Sequence, residues 1–257
     1  MDELDGFIEN AFSLVMSGYY MVHGERTRKM HSLKSSMKDP GNIPVITEFK
    51  RKTPSVRELS SDVDLNQRLA DFVSAGVCGL SILTEPHRFD GSIDNLRKAS
   101  SYDLPVLMKD FVIATDQIDA AYASGADAVL LIMEIFEHTR FNIDVLMESA
   151  HSYGMEVVIE VNSTEQFEKA KETDAEIIGI NNRNLRTLQL EEGRSERILS
   201  SCSKDRPVIG MSGIRSAERV KSILAAGADA VLVGTSVMGG DTGLLKSIRE
   251  VLLQRRR

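Results

Sequence analysis

The fold is encoded most clearly in three similar stretches of the chain, SAGVCGLSIL at residues 74–83, SGADAVLLI at 124–132 and AGADAVLVG at 226–234. Each stretch contains the end of a helix, then a glycine, then a short apolar strand. Glycine suits that position because a helix commonly ends with a left-handed residue, a conformation that costs glycine little. The stretches recur at close to two and four units of about 25 residues, the size of one strand, one helix and their loops. The sequence therefore predicts a repeated strand-helix unit.

Eight short apolar runs along the chain predict eight strands. They lie at residues 44–49, 79–83, 106–108, 128–132, 157–161, 177–180, 208–211 and 230–233. They are rich in valine, isoleucine and leucine without strict alternation, which is typical of parallel strands covered on both faces. The amphipathic segments between them predict helices at residues 65–74, 116–124, 140–153, 164–172 and 217–226.

Eight strands that alternate with helices fit two α/β architectures, a closed (β/α)₈ TIM barrel and a doubly wound open sheet. We favour the barrel because the repeat keeps its spacing to the C-terminus and no GxGxxG motif follows the first strand. We expect a single domain over residues 1–257, with the barrel at 44–257 and an N-terminal helical extension at 1–43. The extension contains an amphipathic helix pattern formed by Leu4, Phe7, Ile8, Phe12 and Val15.

Composition and charge argue against several classes of protein. The chain has 38 acidic and 31 basic side chains and a net charge of -7, whereas a nucleic-acid partner calls for a basic surface. No apolar run reaches the ~20 residues that span a bilayer, and the acidic N-terminus does not resemble a secretory signal. The two cysteines, Cys78 and Cys202, and the scattered histidines lack the spacing of a metal site. We expect a cytoplasmic protein without a metal or a membrane partner.

Polar side chains follow the apolar runs at the points where the strands end. They are Glu48, Lys50, Ser81, Lys109, Glu160, Asn181, Arg183 and Ser212, together with the segment 234–236. The carboxyl ends of the strands in a closed barrel converge on one mouth, where barrel enzymes place their catalytic groups. Two lysines, two glutamates and one arginine leave this mouth with a net positive charge, which suits a small anionic substrate.

The last two strands predict where a phosphate group binds. Ser212-Gly213 follows the seventh strand and Gly234-Thr235 follows the eighth, the corner that holds phosphate in many such barrels. The glycines let backbone N–H groups approach the phosphate oxygens, and the two hydroxyl groups add donors. The sequence therefore predicts a ligand that carries a phosphate.

Six motifs occur in order along the chain: ITEFKRKTPS (46–55), LSILTEPHRFDGS (80–92), LPVLMKDFV (104–112), VVIEVNS (157–163), IGINNRNL (178–185) and VIGMSGI (208–214). Together they resemble the indole-3-glycerol-phosphate synthase family of tryptophan biosynthesis, from about residue 44 to the C-terminus. The resemblance implies a carboxy-lyase that takes 1-(2-carboxyphenylamino)-1-deoxyribulose 5-phosphate, closes a five-membered ring, releases carbon dioxide and then loses water. It implies no metal and no other cofactor.

The resemblance also implies a role for each catalytic candidate. Lys109 resembles the general acid that protonates the substrate carbonyl as the aromatic carbon attacks it. Glu160 resembles the residue that handles the proton in dehydration. Lys50 resembles a partner of the substrate carboxylate and a candidate second acid, so the division of steps between the lysines stays open. Glu48 would hold the lysines in place, and Asn181 would help to orient the substrate.

Binding residues follow from the same resemblance. Arg183 would orient the carboxylated ring and the sugar hydroxyls, Phe111 and Leu130 would pack on the aromatic ring, and Ser81 is expected among the substrate-binding residues. The phosphate would be held by Thr53, Ser212, Gly213, Gly234 and Thr235. The leading helix would partly cover the mouth.

Three positions depart from the family pattern. Met211 stands where the family usually carries a glutamate before Ser-Gly, whereas Thr53 and Thr235 replace serines and keep the hydroxyl group. Two other interpretations stay open: another phosphosugar barrel, such as phosphoribosylanthranilate isomerase, and a non-catalytic barrel that binds a phosphate ligand. The expected partners are the small anionic substrate and, among proteins, other enzymes of the tryptophan pathway.

Overall fold

The computed structural model describes residues 2–53, 64–238 and 243–253. Its parallel strands are β1 (Ile43–Phe49), β2 (Val77–Leu83), β3 (Val106–Lys109), β4 (Ala128–Ile132), β5 (Glu156–Val161), β6 (Ile177–Asn181), β7 (Val208–Met211) and β8 (Ala230–Val233). Neighbouring strands pair in chain order, and β8 pairs with β1, so the sheet closes on itself. The predicted (β/α)₈ TIM barrel is confirmed, and every predicted strand overlaps an observed one.

The helices of the described residues are α1 (Glu3–Met16), α2 (Leu33–Lys38), α3 (Leu65–Ser74), α4 (Ile93–Ala99), α5 (Thr115–Ala123), α6 (Met133–His138), α7 (Ile143–Ser152), α8 (Thr164–Lys171), α9 (Arg194–Ser201), α10 (Ala217–Ala225), α11 (Thr235–Met238) and α12 (Gly243–Leu253). The five helices predicted from amphipathic patterns correspond to α3, α5, α7, α8 and α10. Two of them begin at serine caps, because the side chains of Ser163 and Ser216 accept hydrogen bonds from backbone N–H groups of the first turn. None of these helices combines the length and the apolar character that crossing a bilayer requires.

Alternate residues of the strands pack into two separate apolar cores. Leu130 of β4 and Val158 of β5 belong to the core inside the barrel. Their chain neighbours Val129 and Ile159 belong to the core between the strands and the helices. Because residues two apart on a strand share a face, Glu160, which follows Val158 by two positions, points toward the barrel axis. Because of this alternation, polar side chains at the carboxyl ends of the strands point into the mouth of the barrel.

The N-terminal extension contacts both ends of the barrel. At the mouth, the backbone N–H of Glu3 in α1 donates to the carbonyl of Arg186 at 3.2 Å. At the opposite end, a Cβ added to Gly79 of β2 would lie 2.8 Å from Leu33 Cδ1 of α2. The absence of a side chain at Gly79 therefore lets the buried Leu33 reach the floor of the barrel.

The apolar face of α1 differs from the predicted one at a single clear position. Leu4 and Phe7 are buried, as their spacing indicates, and Ala11 and Leu14 continue the same face. Phe12 is 54% exposed, so its predicted place on the packing face is wrong. The buried positions recur at three- and four-residue steps, and Phe12 lies one residue, or about 100°, from that line.

The segment between α1 and α2 is attached to the base of the barrel through Asp127. The buried carboxylate of Asp127 lies 2.5 Å from Arg26 Nη2 and 3.2 Å from Arg28 Nη2. It also accepts a hydrogen bond from the backbone N–H of Val106, the first residue of β3, at 2.9 Å. Burial lowers the pKa of Arg28, and the Asp127 carboxylate opposes that shift. One aspartate thus balances two poorly solvated cations.

Replacement of Asp127 with alanine is expected to lower the free energy of unfolding by about 3 kcal/mol, because it leaves buried guanidinium groups without their counter-ion. Urea unfolding followed by circular dichroism measures this loss. The matched control is Asp103→Ala, since the Asp103 side chain is fully exposed and contacts His31 at 2.7 Å. That variant is expected to unfold almost like the parent, and equal losses in the two variants would contradict the assignment.

Candidate active site

A pocket opens at the carboxyl ends of the strands, where the sequence places its polar residues. Its lining includes Glu48, Lys50, Thr53, Lys109, Phe111, Glu160, Asn181, Arg183, Ser212, Gly213, Gly234 and Thr235. These residues come from the ends of six different strands and the loops that follow them. Most of the predicted site residues therefore share one cavity.

The deepest charged group of the pocket is a three-residue cluster on β3, β5 and β6. Lys109 Nζ lies 3.1 Å from Glu160 Oε2, and these side chains are 17% and 3% exposed. Asn181 Nδ2 donates to the other oxygen, Glu160 Oε1, at 2.7 Å. Glu160 is therefore held at both oxygens, while the three N–H donors of Lys109 leave hydrogens for a substrate atom. This cluster offers a proton donor and a proton acceptor side by side.

A second lysine-glutamate pair lies on β1 and the residues after it. Lys50 Nζ lies 2.5 Å from Glu48 Oε1. A Cβ added to Gly234 would be 2.6 Å from Glu48 Oε1 and 3.0 Å from Lys50 Nζ. The missing side chain at Gly234 thus makes room for the pair, and it places the Lys50 ammonium beside the loop that follows β8.

Arg183 extends the positive charge of the pocket from the end of β6. Its Nη1 donates to the carbonyl of Leu188 at 2.6 Å, and its backbone N–H donates to Asn181 Oδ1 at 2.9 Å. No carboxylate among the described residues forms an ion pair with it. Burial lowers the pKa of Arg183, and the neighbouring Arg215 guanidinium lowers it further. Two guanidinium groups that face one cavity favour an anionic ligand.

The loop after β7 has the backbone geometry of a tight turn. Ser212 has φ 68° and Gly213 has φ 74°. Both residues are therefore left-handed, which is uncommon for a residue with a side chain such as Ser212. Asn182 holds this turn because its Nδ2 donates to the Ser212 carbonyl at 3.1 Å. The hydroxyl of Ser236 donates to the carbonyl of Ile214 at 2.8 Å and ties the loop after β8 to the same corner.

Aromatic rings form the wall of the pocket below α1. Phe7 of α1 stacks on Phe111 with centroids 4.3 Å apart and planes 10° from parallel. Phe89 approaches the same pair, with its centroid 5.9 Å from that of Phe7. The guanidinium carbon of Arg88 lies 4.9 Å from the centroid of the Phe7 ring. The leading helix thus covers part of the mouth, as expected, and supplies a ring to an apolar wall.

The residues that line the pocket do not include two of the predicted site residues, Ser81 and Leu130. Both are fully buried and lie one layer deeper than predicted, because each precedes a lining residue of its strand by two positions. Leu83 follows Ser81, and Ile132 follows Leu130. Ser81 and Leu130 therefore lie behind the wall of this pocket, and their contact with a ligand stays a prediction.

Met211 occupies the end of β7 with its side chain buried in the wall of the pocket. It pairs in register with Asn181 of β6. A Cβ added to Gly179 would lie 2.6 Å from Met211 Cε, so this glycine leaves the space that the methionine fills. The seventh strand end is therefore apolar, where the resemblance noted in the sequence implies a carboxylate.

Sequence analysis did not identify several lining residues, namely Phe89, Asp110, Leu185, Leu188 and Arg215. Phe89, Asp110 and Leu185 fall inside the quoted motifs, although no pattern of single residues marks them as pocket-lining. Leu188 and Arg215 lie outside the motifs in loops, where no strand periodicity points to the cavity. Among the described residues, no group of three or more histidine, cysteine, aspartate or glutamate side chains could hold a metal ion.

The chain is similar to the members of one protein family over most of its length. A family model described as indole-3-glycerol phosphate synthase matches residues 18–251. The indole-3-glycerol phosphate synthase of Methanocaldococcus jannaschii is 35% identical over 235 residues, which cover 90% of this chain and 86% of that protein. The one of Staphylococcus saprophyticus is 34% identical over 245 residues, 93% of each chain.

Solved structures with much lower sequence identity share the fold of this chain. The N-acetylmannosamine-6-phosphate 2-epimerase of Clostridium perfringens superposes with a TM-score of 0.61 at 12% identity. The superposition covers 90% of this chain and all of the other. At this identity the likeness concerns the barrel alone.

Proposed function

The chain belongs to the indole-3-glycerol phosphate synthase family, and we propose that it performs the reaction of that family with Lys109 and Glu160 as its acid and base. The substrate is 1-(2-carboxyphenylamino)-1-deoxyribulose 5-phosphate. One observation carries the assignment of roles: Lys109 Nζ and Glu160 Oε2 lie 3.1 Å apart in a pocket that also contains two uncompensated guanidinium groups among the described residues.

In the first step, the ring carbon that bears the carboxylate attacks the ketone carbon of the sugar. A carbon-carbon bond forms, and Lys109 donates a proton to the ketone oxygen, which becomes a hydroxyl group. The carboxyl group then leaves as carbon dioxide, and its bonding electrons restore the aromatic ring. A positioned ammonium group suits this step because it supplies the proton where negative charge develops.

In the second step, the new hydroxyl group takes up a proton from Lys50, the candidate second acid in the same pocket, and leaves as water, while a proton leaves the adjacent sugar carbon. Glu160 accepts that proton, and the double bond of the indole ring forms. The Asn181 amide keeps the Glu160 carboxylate oriented for this transfer through its 2.7 Å hydrogen bond. The carbon skeleton loses one carbon dioxide and one water in total.

The remaining charges are assigned to binding. Lys50 lies beside Gly234, which favours a contact with a substrate anion over the role of first proton donor, and Glu48 holds it in place. Arg183 would hold the ring carboxylate and the sugar hydroxyls. Phe111 would pack on the aromatic ring, and the phosphate would be held by Thr53, Ser212, Gly213, Gly234 and Thr235.

The same proposal covers the class and the setting of the enzyme. Release of carbon dioxide makes it a carboxy-lyase, and we place it in the cytoplasm with the small anionic substrate as its partner. Contacts with other enzymes of the tryptophan pathway are part of this proposal and have no assigned surface.

The direct test is turnover of the proposed substrate. Purified protein incubated with the carboxyphenylamino-deoxyribulose phosphate is expected to produce indole fluorescence together with one equivalent of carbon dioxide. A matched incubation with phosphoribosylanthranilate is expected to leave that compound unchanged. If phosphoribosylanthranilate were isomerised and the carboxyphenylamino-deoxyribulose phosphate gave no indole, the protein would be an isomerase instead. If neither compound changed, the protein would be a barrel that only binds a phosphate ligand.

A further inference from the structure

A buried carboxylate in the wall of the pocket has no part in the chemistry above. Asp110 follows Lys109 directly and is 2% exposed. Its Oδ2 accepts hydrogen bonds from the Tyr20 hydroxyl at 2.9 Å and from the Thr84 hydroxyl. Its Oδ1 accepts from the backbone N–H of Phe111 at 2.8 Å. Donors of the protein therefore engage both oxygens of Asp110.

The donors come from separate parts of the fold. Tyr20 belongs to the N-terminal extension just after α1, Thr84 follows β2, and Phe111 follows β3. Asp110 thus ties the end of β3 to a neighbouring strand and to the extension. Tyr20 and Thr84 are 2% and 0% exposed, so water does not compete for these bonds, and hydrogen bonds to an ionised group are strong in such surroundings.

The direction of the Asp110 side chain sets the direction of its neighbours. Successive residues of an extended chain point to opposite sides. With Asp110 turned toward Tyr20, Lys109 on one side points to Glu160 at 3.1 Å. Phe111 on the other side points into the pocket. An acid that must meet a carbonyl oxygen within hydrogen-bond distance is sensitive to a small rotation of this strand end.

We propose that Tyr20 is a positioning residue, which orients Lys109 and Phe111 by holding the Asp110 carboxylate. This role rests on the function proposed above and deepens it, because it makes the N-terminal extension a part of the machinery that presents the acid. Without the Tyr20 hydroxyl, the side chain of Asp110 loses one of its donors and the end of β3 gains freedom to turn.

The pKa of Asp110 can be measured to test this role, because a purely structural role for Tyr20 would leave that pKa unchanged. Burial raises the pKa of Asp110 to about 6, whereas the hydrogen bonds from Thr84 and Tyr20 oppose that rise and Glu85, in the loop after β2, adds to it. Tyr19 also interacts with Asp110, whose charge helps to raise the pKa of the Tyr19 hydroxyl. Loss of the Tyr20 hydroxyl raises the pKa of Asp110 further. In that variant the ionised form of Asp110, which keeps the bonds from Thr84 and Phe111, is therefore lost at a higher pH than in the parent protein.

The experiment compares Tyr20→Phe with Tyr19→Phe in the full chain. The two rings contact each other edge to face with centroids 4.9 Å apart, and the Tyr19 hydroxyl donates to the Thr84 carbonyl at 2.8 Å. Each variant loses one tyrosine hydroxyl from the same segment, half-buried at Tyr19 and buried at Tyr20, but Tyr20→Phe alone removes a donor to Asp110. Thr84→Val removes the other hydroxyl donor and serves as a second test.

We expect Tyr20→Phe to lower kcat about tenfold with KM changed less than about twofold, as loss of a bond to an ionised group allows. The acid limb of its pH profile is expected to move to higher pH. Thr84→Val is expected to act in the same direction, and Tyr19→Phe to keep the parent kcat and pH profile. Equal kinetics in the two tyrosine variants, or no change in Tyr20→Phe, would overturn the proposal.

Hydrogen exchange separates this inference from the proposed function. The Phe111 amide donates to Asp110 Oδ1, so it is expected to exchange faster in Tyr20→Phe and at the parent rate in Tyr19→Phe. A parent protein that makes no indole would reject the proposed function, and the exchange rates would still decide whether Tyr20 orders the end of β3. Unchanged exchange at Phe111 would reject the positioning role even in an active enzyme.

Discussion

Replacement of Lys109 with alanine is expected to lower kcat at least ~10²-fold, the usual cost of losing a positioned general acid. The ketone oxygen then has no donor as the carbon-carbon bond forms, although the contacts to the substrate anions persist. KM is therefore expected to change much less than kcat. Steady-state fluorescence of the indole product measures both.

Two companion variants define what Lys109 contributes. Lys109→Arg keeps a positive charge but does not release a proton near neutrality, so it is expected to stay as slow as the alanine variant. Lys98→Ala removes an exposed lysine of α4 and is expected to keep the parent kcat. A loss of only a few-fold in Lys109→Ala would count against Lys109 as the acid.

Replacement of Glu160 with glutamine is expected to slow formation of the indole product about 10²-fold or more, because the base of the dehydration step is lost. Glutamine keeps the shape of the side chain and one acceptor oxygen for Lys109. Release of carbon dioxide precedes the proton transfer to Glu160, so it is expected to slow less than indole formation. Single-turnover reactions that follow labelled carbon dioxide and fluorescence separately measure the two steps.

The neighbouring carboxylate supplies the comparison for this variant. Glu48 contacts Lys50 and not Lys109 in the described contacts, so Glu48→Gln is expected to slow the two signals in the same proportion. If Glu160→Gln also slowed them in equal proportion, Glu160 would be a support for Lys109 and not the base of the dehydration.

The barrel could be predicted from the sequence because each strand is a continuous apolar run that ends at a polar residue. The runs at 128–132 and 208–211 coincide with β4 and β7 to the residue. The apolar residues of α1 did not place its packing face correctly, since Phe12 is apolar but lies one residue away from the buried line and is 54% exposed. Where a helix rests against a curved surface, the width of its contact face depends on its neighbours.

The candidate site was less accessible to sequence analysis. The Lys50 and Glu48 pair is local, but the contact between Lys109 and Glu160 joins strand ends 51 positions apart. Which strand-end residues meet depends on the stagger of neighbouring strands, and no single stretch of sequence encodes that stagger. The same stagger put Ser81 and Leu130 one layer below the cavity. Tyr20 was missed for a different reason, because it lies in a connecting segment with neither strand nor helix periodicity.

Closure of the sheet between its first and last strands affects how the chain folds during synthesis. Val45 pairs with Val231, so one edge of β1 has no partner until almost the whole chain exists. At ribosomal rates of ~5–20 residues per second, that edge waits roughly 10 to 40 seconds during synthesis. An unpaired apolar strand edge invites association with other chains. Recovery of the protein during expression is therefore expected to depend on temperature and chaperone supply more than on the stability of the finished barrel.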